Sequence, residues 1–66
     1  MDAALLRPGL AVTWMRSLRK GWFAFEPVPA TVVRLAGQRV LIAAELRTSG
    51  TKQVWVRPAN LRERNN

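Results

Sequence analysis

The chain has 66 residues and a formal net charge of +7, with eleven lysines and arginines against four acids. It has neither cysteine nor histidine, which excludes disulfides, thiolate or zinc sites and a histidine general base. Because 48% of the residues are hydrophobic, we expect one small folded domain rather than a disordered basic tail. The basic excess favours an anionic partner, such as nucleic acid or an acidic protein surface.

The N-terminal segment, residues 1–7, is predicted to be flexible, because Pro8 and Gly9 end whatever structure precedes them. It lacks the positive charge and apolar run of a signal peptide, and no segment approaches the roughly 20 apolar residues of a membrane span. We therefore expect a cytoplasmic protein that makes no membrane contact.

The first strand is predicted at residues 10–15, where Leu10, Val12 and Trp14 alternate with other residues. The alternation breaks between residues 16 and 29. Because a central strand does not accommodate prolines such as Pro27 and Pro29, we predict a long loop or bent hairpin there.

Three further strands are predicted from β-branched and aromatic residues, at residues 30–35, 39–46 and 52–57. Short turns at 36–38 and 48–51 join them, and Gly37 is expected to adopt a positive φ.

The C-terminal region is predicted to form a single helical turn at residues 58–61, since Pro58 cannot continue the preceding ladder. The domain is expected to span residues 8–62, followed by a polar tail at 63–66. Short strands joined by tight turns favour an all-β fold, a small five-stranded barrel, because barrel closure removes exposed strand edges.

Four segments carry a resemblance to a known family of small barrels. Pro8–Trp14 is similar to an opening strand of pattern P-G-x-x-V-x-W, and Val54–Leu61 to a closing strand with a P-x-N-L turn. Ala30–Val33 and Arg39–Ile42 resemble the strands between them. The chain thus resembles the Src-homology-3-like barrels, especially the Tudor type, and the resemblance implies a binding role without naming the ligand.

The chain departs from two ligand classes of that family. It has no tyrosine and few acids, unlike the aromatic cages with which Tudor domains read methylated residues. Its first loop is basic, whereas members that bind proline-rich peptides carry acids there.

The first candidate binding surface is the long loop, where basic residues flank aromatic ones. Arginine and lysine neutralise phosphates while aromatic rings stack on bases, a combination that suits single-stranded nucleic acid. We expect Phe23 and Phe25 to fill the core. The candidate binding residues of this loop are Arg16, Arg19, Lys20 and Trp22.

The second candidate surface surrounds Trp55, which should face outward if Val54 and Val56 face the core. Leu41 and Ala43 should then lie beside it, since alternation turns Val40, Ile42 and Ala44 inward. An exposed apolar patch of this kind is typical of an interface, so Leu41, Ala43 and Trp55 are candidates for self-association. The basic residues expected to flank this surface are Arg34, Arg39, Lys52 and Arg57.

Catalysis has no support in the sequence, because the four acids are scattered and no histidine is present to activate a nucleophile. No phosphate-binding glycine motif is present, and we expect no cofactor. The leading interpretation is a non-catalytic bacterial or phage module, monomeric or homodimeric, that binds DNA or RNA. The alternatives are an adaptor or inhibitor that docks on an acidic protein and, third, a subunit of an oligomeric enzyme.

Overall fold

The computed structural model describes residues 1–17 and 25–64. In chain order the strands are β1 (Ala11–Ser17), β2 (Phe25–Ala36), β3 (Arg39–Leu46), β4 (Gly50–Val56) and β5 (Leu61–Glu63). Two 3₁₀ turns, Ala3–Leu5 and Pro58–Asn60, complete the regular structure of the described residues. The all-β class is therefore confirmed, as is a short helical turn before the C-terminus.

The five strands form one antiparallel sheet in the order β4-β3-β2-β1-β5. The sheet is not closed, because β4 and β5 are its edges, so the prediction of a closed barrel is not confirmed. The physical reason lies at the C-terminus. Pro58 ends the fourth strand's ladder, and β5 contributes only three residues, all paired with β1.

Strand β2 is twice as long as predicted, because it begins at Phe25 and includes Pro27 and Pro29. Among the described strands, its first half pairs with β1 alone, and its register with β3 begins only at Ala30. This half therefore has one free side, where a proline that lacks an N–H removes no ladder hydrogen bond. The prediction of a loop up to residue 29 is corrected accordingly.

The core lies on the concave face of the sheet and follows the alternation of the strands. On β3, Val40, Ile42 and Ala44 are buried, as the sequence predicts. Partly buried side chains, including Trp14 and Val54, pack against this cluster. The buried members of the core are Leu6, Val12, Val28, Ala30, Val32, Val40, Ile42, Ala44, Val56 and Leu61.

Two backbone features mark the hairpin formed by β2 and β3. The register of β2 against β3 shifts between Val32 and Arg34, which brings Arg34 opposite Leu41. Gly37 adopts a φ of 60° in the turn between these strands, as predicted. A positive φ at this position favours glycine because it lacks a Cβ atom.

The N-terminal residues 1–7 pack onto the sheet. Leu6 is 7% exposed and belongs to the core. The α-ammonium group of Met1 donates hydrogen bonds to the carbonyl oxygens of Pro58, at 2.9 Å, and Leu61, at 3.0 Å. Within the described residues, the structure contains no helix long and apolar enough to cross a membrane.

Candidate anion-binding cleft between β1 and β4

A cleft of about 470 Å³ lies between the C-terminal ends of β1 and β4, and we refer to it as the seam cleft. Strands β1 and β4 are separated by two others in the sheet order. They line one cleft because the sheet curls, which brings the two strands face to face without pairing them. Ser17 and Phe25, the residues on either side of residues 18–24, both line this cleft.

Among the described residues, three arginines line the seam cleft, and each lies in or next to a different strand. Arg16 lies near the end of β1, Arg39 begins β3 and Arg57 follows β4. All three are exposed. None of the four acids of the sequence lines this cleft. A concave surface lined by one sign of charge concentrates ions of the opposite sign, so the seam cleft is suited to an anion.

The acids lie elsewhere on the molecule. Glu26 and Glu45 line a smaller cleft of about 290 Å³ together with Arg47, and we refer to it as the mixed cleft. Glu63 lines a third cleft, and the carboxylate of Asp2 accepts a hydrogen bond from a backbone N–H in the first 3₁₀ turn. The positive charge of the seam cleft therefore arises from where the acids are placed, as well as from the net charge of the chain.

The three arginines of the seam cleft differ in their neighbours. Arg16 lies opposite Glu26 in the β1–β2 register, so an acid offsets part of its charge. Arg39 lies opposite Ala36, and Arg57 lies one residue beyond the last β3–β4 pair, Val40 with Val56. Arg39 and Arg57 thus meet at the end of these strands with no acid beside them in the register.

Aromatic rings also line the seam cleft. Phe25 is 52% exposed and Trp55 is 40% exposed, and Trp14 is half-buried against the core. The expectation that Phe25 fills the core is wrong. Phe25 lies opposite Ser17 in the last pair of the β1–β2 ladder, beyond the buried residues of both strands. Two rings are therefore available for stacking in a cleft that is rich in arginine.

The orientation of Trp55 is stabilised from the outer face of the sheet. The guanidinium carbon of Arg34 lies 5.3 Å from the centroid of the Trp55 ring, within the range of a cation–π contact. Leu41 lies between them, since it pairs with Arg34 on one side and with Trp55 on the other. Because Arg34 covers one face of the ring, Trp55 can offer only its other face to a ligand.

The structure brings together some of the residues that the sequence singles out. Arg16, Arg39, Trp55 and Arg57 line the seam cleft. Lys52 does not line it, because it lies opposite Ala44 towards the other end of β4. The remaining predicted residues of the long loop, Arg19, Lys20 and Trp22, lie outside the described residues, as does Phe23.

The outer face beside Trp55 follows the predicted alternation. Leu41 pairs with Trp55 and Ala43 pairs with Gln53, and both apolar side chains are half-buried. Sequence reasoning missed Asn60, which enters the seam cleft from the second 3₁₀ turn, and the exposed ring of Phe25. The phenylalanine could have been recognised from its position next to the proline-containing segment, which contributes little apolar volume to a core.

No family model matches this chain, and neither a curated protein nor a solved structure matches it at significant similarity. Since a fold by itself does not fix function, we infer the function from the residues that line the seam cleft.

Proposed function

We propose that the chain is a non-catalytic nucleic-acid-binding module that holds a single strand of DNA or RNA in the seam cleft. The observation that carries the proposal is the composition of this cleft. It combines three arginines with two exposed aromatic rings, and it contains none of the four carboxylates.

The arginines and the rings would have different tasks. A guanidinium group forms charge-assisted, often bidentate hydrogen bonds with a phosphate, as expected of Arg16, Arg39 and Arg57. A base that stacks on an aromatic ring contributes about 1–3 kcal/mol to binding. A duplex keeps its base faces stacked on one another, so the exposed rings of Phe25 and Trp55 favour a single strand over a duplex.

The resemblance to Src-homology-3-like domains is part of this proposal. Five antiparallel strands with a 3₁₀ turn before the last one are compatible with that family of small binding modules. The resemblance supports a binding role, and the basic cleft supports an anionic ligand rather than a proline-rich or methylated peptide.

Fluorescence anisotropy with short labelled oligonucleotides tests the proposal. We expect single strands to bind at low salt with a dissociation constant of about 1–100 μM, the range of non-specific binding. If three phosphates are neutralised, the logarithm of the binding constant should fall with the logarithm of salt concentration with a slope of about −2. Duplexes of the same length should bind more weakly.

The matched control uses arginines of equal charge. Arg39→Gln and Arg57→Gln should each weaken binding, whereas Arg47→Gln, in the mixed cleft, should leave it nearly unchanged. Absence of binding at tens of micromolar protein would overturn the proposal, and so would equal loss of affinity in all three variants.

A second candidate function is docking on an acidic protein surface. It is favoured by the outer face, where Arg34, Leu41 and Trp55 form a row across three strands. Tryptophan and arginine are the residues that most often dominate protein interfaces. Ala43 lies on this face but not in the seam cleft, so Ala43→Glu, which places a negative charge against an acidic partner, separates the two functions.

If Ala43→Glu abolishes capture of an acidic partner and changes oligonucleotide binding by no more than about twofold, both surfaces are used. The same variant tests self-association through Leu41, Ala43 and Trp55, by sedimentation over a range of protein concentrations. A strict monomer would contradict both the homodimer and the oligomeric-enzyme interpretation.

A further inference from the structure

We infer that Arg39 and Arg57 form a phosphate-binding pair that joins the seam cleft to a second cleft, and that this pair opposes folding until an anion binds. The inference rests on the proposed function, which it extends by a separate subsite for phosphate groups. The second cleft has a volume of about 500 Å³ and lies at the turn between β2 and β3.

The two clefts meet at the arginine pair. Arg39 and Arg57 line both of them, and no other residue of the described chain does so. A ligand that leaves the seam cleft towards the β2–β3 turn therefore passes over these two guanidinium groups. The pair is placed to hold a phosphate from either side.

The two arginines lie at the same end of β3 and β4, just beyond the last residue pair of these two strands. Val40 pairs with Val56, so the next position outward brings Arg39 and Arg57 to the same end of the two strands. Like charges that face each other across strands destabilise a sheet. No acid lines either of the two clefts, although four are present in the chain. The repulsion is therefore not offset by a carboxylate in these clefts, and an anion would relieve it.

The second cleft differs from the seam cleft in what it offers to a ligand. None of its described lining residues is aromatic, and those other than the arginine pair are small, polar or proline residues, among them Ala3, Gly37 and Gln38. Such a surface has no stacking platform for a base. It suits phosphate groups, which two guanidinium groups recognise by bidentate hydrogen bonds. We therefore assign bases to the seam cleft and a phosphate of the same strand to the arginine pair.

Thermal unfolding with and without inorganic tripolyphosphate tests the inference, with sulfate at matched ionic strength as the control for screening. Tripolyphosphate should raise the Tm of the unsubstituted protein more than sulfate does. This difference should disappear in Arg39→Gln and in Arg57→Gln and persist in Arg47→Gln. A difference that survives in both pair variants would overturn the subsite.

The Tm without ligand tests separately whether repulsion between the two arginines destabilises the folded protein. Without ligand at low salt, Arg39→Gln and Arg57→Gln should raise Tm by roughly 2–4 °C, since one like-charge contact is removed. Arg47→Gln should not raise it, because Arg47 lies near Glu26 and Glu45. Arg39→Lys keeps the charge but loses the forked geometry, so its Tm should stay unchanged while its response to tripolyphosphate falls. An unchanged Tm in both glutamine variants would contradict the claim that the pair opposes folding.

The outcomes distinguish this inference from the proposed function. If tripolyphosphate acts through the pair while no oligonucleotide binds, the phosphate subsite stands and nucleic-acid binding fails. If oligonucleotide binding behaves as proposed but tripolyphosphate raises the Tm of both glutamine variants as much as that of the unsubstituted protein, the function stands and the phosphate subsite is refuted.

Discussion

The seam cleft and the mixed cleft are both open depressions at strand ends, yet they carry opposite electrostatic character. The seam cleft holds Arg16, Arg39 and Arg57 without an acid, whereas the mixed cleft holds Glu26 and Glu45 around a single arginine. From the net charge alone, one would expect anions to bind anywhere on the surface of the protein. The comparison shows that the placement of only four carboxylates makes the two clefts differ in charge.

The largest expected effect comes from removing the positive charge of the seam cleft. Substitution of Arg16, Arg39 and Arg57 together by glutamine should weaken single-strand binding about 50-fold at low salt, since three exposed charge contacts of up to about 1 kcal/mol each are lost. The salt dependence should nearly vanish. Anisotropy titrations at several salt concentrations measure both quantities.

The control for the triple variant changes net charge by the same amount outside the seam cleft. Arg7, Arg47 and Lys52 are exposed and do not line it. Their triple substitution by glutamine should lower affinity only through long-range electrostatics, about twofold at moderate salt because such interactions are screened beyond roughly 10 Å. Equal losses in the two triple variants would mean that the clefts do not differ in function.

The next effect concerns the aromatic lining, which the mixed cleft lacks. Phe25→Ala should reduce single-strand affinity about tenfold, because one base loses its stacking partner. The preference for single strands over duplexes should shrink by a similar factor. Because Phe25 is exposed, the variant should unfold at nearly the same urea concentration as the unsubstituted protein. Unaltered affinity for single strands would show that the ring does not contact bases.

A smaller effect is expected from the contact between Arg34 and Trp55. An exposed cation–π contact contributes about 0.5–1 kcal/mol, so Arg34→Met should lower the free energy of unfolding by about this amount. A double-mutant cycle with Trp55→Leu isolates the interaction from the loss of packing. A coupling energy near zero would indicate that Arg34 does not hold the ring.

The smallest effect is expected from Glu26, which lines the mixed cleft but pairs with an arginine of the seam cleft. Removing its charge makes the seam cleft more positive. Glu26 lies opposite Arg16, so Glu26→Gln should strengthen oligonucleotide binding about two- to threefold, in line with the modest strength of surface charge pairs. Glu45→Gln changes net charge equally and should have no comparable effect. Binding titrations at one low salt concentration suffice to compare them.

Sequence patterns predicted the strands whose residues alternate cleanly. The inward set on β3 follows directly from a period of two, and the exposure of Trp55 follows from its inward-facing neighbours, the half-buried Val54 and the buried Val56. The start of β2 was missed, because a sequence does not reveal which side of a strand is paired. Only the one-sided pairing of residues 25–29 makes Pro27 compatible with a strand.

The candidate site was predicted less well than the fold. Arg16 and Arg57 are 41 positions apart, and only the curling of the sheet brings them to one cleft. No local pattern encodes that approach. The extra exposure of Phe25 depends on where the ladder ends, and the contact between Arg34 and Trp55 depends on a register shift in β2. Long-range geometry of this kind is set by packing and not by periodicity.

The prolines of β2 and the lysine of β4 have a consequence for how the protein behaves at high concentration. The unpaired side of a strand can recruit the backbone of another molecule, which is how ordered aggregates begin. Pro27 and Pro29 lie in the half of β2 that has such a side, and Lys52 lies within β4, an edge of the sheet. A missing N–H and a charge that resists dehydration are two devices that discourage such recruitment. Lys52, which the sequence suggests as a ligand contact, thus also places a positive charge on an edge of the sheet.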